Sequence, residues 1–278
     1  MRTIHVAHSP DSDDAFMFYA LAEGKVETDL RYVHELADIE TLNQRALRGE
    51  LEVSAVSIHA YAYLADRYAL LASGSSMGDG YGPRLVGLDP PPDDPRAGAA
   101  GRRIAVPGLR TTAYLALRLF QPDFETVVVP FDRIGDAVRA GDVDLGLLIH
   151  EGQLTYAGEG FRLWQDLGAW WLAETGLPLP LGGNVVRRDL GPALTAQVAR
   201  DLRASIEYGL AHRAPALAHA SRFNRGISDE ETDRFVGMYV NEWTVDYGER
   251  GRAAVQLLLD RGSDAGIIPH RVRVEFIG

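Results

Sequence analysis

The run LGLLIHEGQLTY, residues 145–156, sets a histidine and a glutamate side by side where an apolar strand ends. Leu145 to Ile149 have the make-up of a buried strand, so His150 and Glu151 stand at its exit, where a neutral imidazole can take a proton from a bound molecule. Spacing alone leaves two readings for His150: a satisfied structural histidine at a strand end, or a general base. Glu151 is open between orienting the imidazole and facing solvent.

Four other segments share this placement between a strand and a helix: SPDSDD (9–14), SAVSIHAY (54–61), GDGYGP (78–83) and VPGLRTTAY (106–114). In the last, Gly108 permits a turn and Thr111 or Thr112 can cap a helix that begins with Ala113. Exposed N–H groups at such a start attract a carboxylate or phosphate, although a plain cap uses the same residues. Ser57 carries the same pair of readings. The three carboxylates of SPDSDD suit a helix N-terminus, where the dipole favours anions, better than a metal site.

The other histidines, at 5, 8, 34, 59, 212, 219 and 270, form no H-x-x-x-H or HExxH pattern, so nothing points to zinc. His8 and His59 lie near cleft segments and are open between ligand contact and a structural polar role. Trp170 and Trp171 read as core or hinge packing rather than a stacking platform.

These segments need elements to hold them. Short apolar runs alternate with helical periods, the pattern of a parallel sheet wrapped by crossover helices. Strands are expected at 3–7, 30–33, 52–56 and 68–72, with helices at 13–23, 39–48 and 58–64 between them. After the Gly- and Pro-rich segments GSSMGDGYGP and DPPPDDPRAGAAG comes a second set. Its strands are expected at 103–107, 126–129 and 145–149, and its helices at 111–120 and 134–140. A long connection is expected beyond Tyr156, then a strand at 184–187 returning to the first set and helices at 195–211, 229–239 and 248–260. The expected architecture is α/β, two lobes joined by two crossings around a central cleft. Lobe one takes residues 1–98 and about 186–278, and lobe two about 99–185. Two flexible crossings predict hinge closure on a ligand.

Composition sets the class. The chain has 278 residues, 46% hydrophobic and 24% charged, with a net charge of −11 and Lys25 as its only lysine. No basic stripe appears, which argues against nucleic acid as a partner. With no cysteine, disulfides, thiolate metal sites and a cysteine nucleophile are excluded. No run approaches the ~18 apolar residues of a membrane span, and the N-terminal stretch reads without an export signal, so a cytoplasmic protein is expected. Nothing in the sequence specifies an oligomeric state.

Taken in order, SP-x-x-x-D-x-F-x-FYAL, DIETLNQRAL, DRYALL, VPG-x-x-TTAY, G-x-x-IHE-x-x-x-TY, DLGAWW-x-x-x-TGLPLPLG and RRDLG resemble the 1,4-dihydroxy-6-naphthoate synthase family of the futalosine route to menaquinone. The resemblance covers essentially the whole chain. It implies a fold similar to type II periplasmic solute-binding proteins, and a carbon–carbon lyase that uses neither metal nor organic cofactor on a small-molecule carboxylate substrate. The family's catalytic base falls on His150. Its substrate contacts fall on Ala55, Val56 and Ser57 and on Thr112 and Ala113. The adjoining Thr111, Ser9 and Asp14 complete the expected binding set. The IHE motif separates this family from its sister, chorismate dehydratase. Two departures stand out: SPDSDDAF, where Asp13 replaces a usual asparagine and Asp14 is the matching carboxylate, and His59 in place of a small residue.

Overall fold

The computed structural model describes residues 1–223 and 226–278. The chain opens with β1 (Arg2–His8), α1 (Ser12–Ala22), β2 (Leu30–Leu36), α2 (Ile39–Leu47), β3 (Val53–Ser57), the single-turn α3 (Ile58–Tyr61), β4 (Tyr68–Leu71) and β5 (Ser76–Gly78). Its middle holds β6 (Arg84–Gly87), α4 (Pro95–Gly98), β7 (Arg103–Val106), α5 (Thr112–Phe120), β8 (Glu125–Val128), α6 (Ile134–Ala140), β9 (Leu145–Leu148), α7 (Gly152–Thr155), β10 (Arg162–Asp166) and α8 (Leu167–Thr175). Then β11 (Leu179–Arg187) leads to α9 (Pro192–Ala211), α10 (Arg213–Ala220), α11 (Asp229–Tyr239), α12 (Glu242–Val245), α13 (Gly248–Asp264) and a short β12 (Phe276–Ile277).

Two mixed sheets result. One runs β12-β4-β11-β3-β1-β2 with β5 paired to β11, and the other β10-β6-β9-β7-β8. The pairs β1·β2, β1·β3, β7·β8 and β7·β9 are parallel, as βα repeats require. β3 is buried along its whole length because helices cover both faces of its sheet. The chain passes from the first sheet to the second between Gly78 and Arg84 and returns between Asp166 and Leu179, both ahead of residues 98 and 185. Each crossing ends in an interior strand: β6 lies antiparallel between β9 and β10, and β11 antiparallel between β3 and β4.

Residues 157–183 are not a structureless connection. They form β10, α8 and the first half of β11. Periodicity hides α8 because its apolar residues surround it: Leu167, Gly168 and Trp171 are buried, while Trp170 packs edge-on against Phe120 at 5.4 Å. Trp171 is therefore core, with the half-buried Trp170 packed against it, and Trp171 donates its indole N–H to the Pro178 carbonyl at 3.2 Å. Gly168 is required by close approach, since a Cβ there would collide with the carbonyl oxygen of Tyr81 in the outgoing crossing. The helix α10 was likewise unforeseen, and α3 is shorter than the helix expected at 58–64.

One apolar cluster runs through both lobes. It joins Val56, Ile58, Tyr61 and Leu70 of the first lobe to Ile104, Leu115, Leu147 and Trp171 of the second. Helix α5 packs on α3 and α13, which belong to the other lobe. An interface of this kind resists the free hinge motion expected of two linked domains.

Candidate active site

The C-terminal ends of β1, β3, β7 and β9 converge on a cleft between the lobes. The expected base and binding set line it: His150, Ser9, Asp14, Ala55, Val56, Ser57, Thr111, Thr112 and Ala113.

His150 follows β9 and is the one non-glycine residue among those described with positive φ, at 55°. A left-handed backbone costs a side-chain-bearing residue about 1–2 kcal/mol, so this geometry is held by its surroundings. Its Nδ1 lies 2.9 Å from Oδ2 of Asp11, which enters from the opposite lobe. The Ser9 hydroxyl donates to the same oxygen. Phe131 meets the imidazole edge-on at 5.1 Å. A carboxylate on Nδ1 favours the tautomer that carries its proton there, in which Nε2 is the basic nitrogen. Glu151 is buried and does not face solvent.

The acids of SPDSDD divide their roles. Asp14 accepts the Ser9 N–H at 2.7 Å, while Asp11, at the N-cap of α1, makes no side-chain cap and reaches across the cleft. Asp13 lines the cleft and accepts a long 3.4 Å bond from the Ser76 hydroxyl. Burial and the neighbouring Asp11 push its carboxyl up to about 7, which favours its protonated form. Burial and then Asp13 also raise Asp14 well above the usual range. Among the described residues no group of three or more carboxylates and histidines is arranged to hold a metal ion.

Across from His150 lies a surface suited to an anion. The Asn43 side chain, buried on α2, donates to the Ser57 hydroxyl at 3.1 Å and accepts the Ser57 N–H at 2.9 Å. Ser57 is thus oriented with its own hydroxyl proton to give. Thr111 caps α5 by accepting the Tyr114 N–H at 3.2 Å, and Leu115 N–H bonds the Thr111 carbonyl. The N–H groups of Thr112 and Ala113 then remain without an intrahelical acceptor. The Thr112 hydroxyl differs from expectation: it donates to the Leu181 carbonyl at 2.6 Å and accepts the His59 N–H at 3.2 Å, so it has no proton for an anion.

His59 is buried, with Nδ1 against the Thr111 carbonyl at 3.2 Å, and His8 stacks on Phe18 at 4.4 Å. Neither lines the cleft. Residues that sequence reasoning passed over include Asp11, Asn43, Gln153 and Tyr239, whose hydroxyl donates to Gln153 at 2.6 Å across the lobes. Asp11 lay inside a segment already singled out. The others gave no signal, since a buried polar residue on one helix looks like any exposed one until its partner is known.

Two α/β lobes with such a cleft define a periplasmic-binding-protein-like protein. The alkanesulfonate-binding protein SsuA of Xanthomonas axonopodis pv. citri shares this fold, with a TM-score of 0.70 at 16% identity over 99% of this chain and 96% of that one. A family described as menaquinone biosynthesis matches residues 4–264, and the chain belongs to that family. A 1,4-dihydroxy-6-naphthoate synthase of Thermus thermophilus is 40% identical over 277 residues, covering 100% of both chains. Another from Streptomyces coelicolor is 40% identical over 96% of this chain and 95% of its own. The crystal structure of a protein from Archaeoglobus fulgidus, 46% identical, has a TM-score of 0.91 over 95% of this chain and 98% of that one.

Proposed function

We propose that this enzyme is a carbon–carbon lyase of menaquinone biosynthesis that converts cyclic dehypoxanthine futalosine into 1,4-dihydroxy-6-naphthoate. The observation that carries the reading is His150, which lines the cleft in a left-handed backbone with Nδ1 on Asp11. The substrate carboxylate lies against the Ser57 hydroxyl and the first N–H groups of α5, where the helix dipole adds to the bonds. Nε2 of His150 removes a proton from the spirocyclic substrate, and the ring fragments as an aromatic system forms. Asp13, in its protonated form, lowers the negative charge that an anionic substrate meets. We place the reaction in the cytoplasm, on the biosynthetic role of the relatives. Among the described residues no helix is long and apolar enough to cross a membrane.

The test incubates the purified protein with cyclic dehypoxanthine futalosine and, separately, with chorismate, identifying products by mass spectrometry. Formation of 1,4-dihydroxy-6-naphthoate with chorismate untouched is the expected result. Loss of water from chorismate would make the protein the sister dehydratase. Binding without turnover would leave a solute-binding protein.

A further inference from the structure

We propose that Asp11 is the positioning residue of His150, supplied across the cleft so that a working base exists only where the two lobes meet. The inference rests on the reading of His150 as the base. Asp11 occupies the N-cap of α1, where aspartate ordinarily bonds an N–H of the first turn, yet its side chain makes no such bond. It is almost wholly buried, at 2% exposed, with Oδ2 at 2.9 Å from His150 Nδ1 and within reach of the Ser9 hydroxyl.

Two donors on one carboxylate oxygen hold it as an acceptor. The imidazole proton therefore sits on Nδ1, and Nε2 carries the basic lone pair. Phe131 against the ring and the left-handed backbone at His150 fix the ring plane. When Nε2 takes the substrate proton, the imidazolium that forms is stabilised by the adjacent carboxylate. The other charged groups around the ring are Asp13 and Asp14 of α1 and the neighbouring Glu151, which act on it through space.

The experiment compares the intact enzyme with Asp11→Asn and Asp11→Glu. An asparagine amide at this place donates to Nδ1 and drives the proton onto Nε2. Turnover of Asp11→Asn should fall by roughly 10²- to 10⁴-fold with KM little changed. Its acidic limb in kcat should move to lower pH by about one unit as the attracting charge is lost. Asp11→Glu should recover part of the turnover. In the intact protein without substrate, nitrogen-15 NMR of the His150 ring should place the proton on Nδ1. A ring protonated on Nε2, or an Asp11→Asn enzyme with unchanged turnover and pH profile, would overturn the proposal. If the intact protein turns nothing over, the lyase reading fails by itself, and the NMR measurement still decides the role of Asp11.

Discussion

The hydroxyl of Thr112, in the first turn of α5, donates to the carbonyl of Leu181 in β11 at 2.6 Å and accepts the N–H of His59 at 3.2 Å. One side chain thus ties the second lobe to two elements of the first. Thr112→Val leaves a buried N–H and a buried carbonyl without partners and should lower stability by about 1–3 kcal/mol. Thr112→Ser, which keeps the hydroxyl, should cost less than half of that. Urea denaturation of the two variants makes the comparison. Equal stabilities would show that the hydroxyl ties nothing together.

His150→Asn removes the basic nitrogen and should reduce turnover by roughly 10²- to 10⁴-fold. Asparagine tolerates positive φ better than most residues, so the backbone at 55° should accept it and thermal stability should be kept. His150→Val should retain neither, because a β-branched residue resists this conformation. Steady-state kinetics beside melting curves separate the chemical effect from the conformational one. Near-normal turnover in the asparagine variant would remove His150 from the mechanism.

The buried His8 and the half-buried His34 should make the fold acid-sensitive. Burial and then the neighbouring His34 hold His8 down to about 3, and burial holds His34 down to about 4; their rings are bonded Nε2 to Nδ1 at 3.2 Å. Both titrate near 6.5 once unfolded, so below that pH the unfolded chain binds more protons. Their contribution is fully present above pH 6.5 and is lost as pH falls toward 4. The slope is up to about 1.4 kcal/mol per pH unit for each ring. His34→Gln should flatten it in urea melts taken between pH 4.5 and 7.5.

Asp13 works in the opposite direction. Its carboxyl is raised to about 7 in the fold from 3.8, so the native state binds more protons between these values and stability falls as pH rises through that window. Asp13→Asn should therefore be nearly neutral for stability below pH 4 and stabilising by on the order of 1–3 kcal/mol at pH 8, allowing for its partial contact with water. A gain independent of pH would show that the ionised form carries no penalty.

The continuous core between the lobes bears on motion. Each crossing strand is interior to the sheet it enters, and α5 is wedged against α3 and α13. X-ray scattering should show the same radius of gyration with and without saturating 1,4-dihydroxy-6-naphthoate. Compaction on binding would restore the hinge closure that the Gly- and Pro-rich crossings suggest.

Much of the architecture was legible without coordinates. Strands near 3–7, 103–107 and 145–149 and helices near 39–48 and 134–140 are recovered within a residue or two, because the helices bury one face, which imprints a period, and the strands are short, largely buried apolar runs bounded by polar or turn residues. Helix α8 escaped for the converse reason: Leu167, Gly168, Trp170 and Trp171 meet apolar neighbours on several sides, so no period survives.

The sequence by itself determined the two βα sets, the places where they open onto a cleft, and the motif that makes His150 a candidate base. It determined these because strand and helix periodicity, turn residues and caps are local properties, each written within a few consecutive residues. Only the tertiary structure decided that Asp11 rather than Glu151 holds Nδ1 of His150, that Asn43 orients Ser57, and that the Thr112 hydroxyl serves Leu181. Hydrogen bonds of this kind join segments far apart in the chain, and their partners are chosen by how the sheets pack, which no local pattern records.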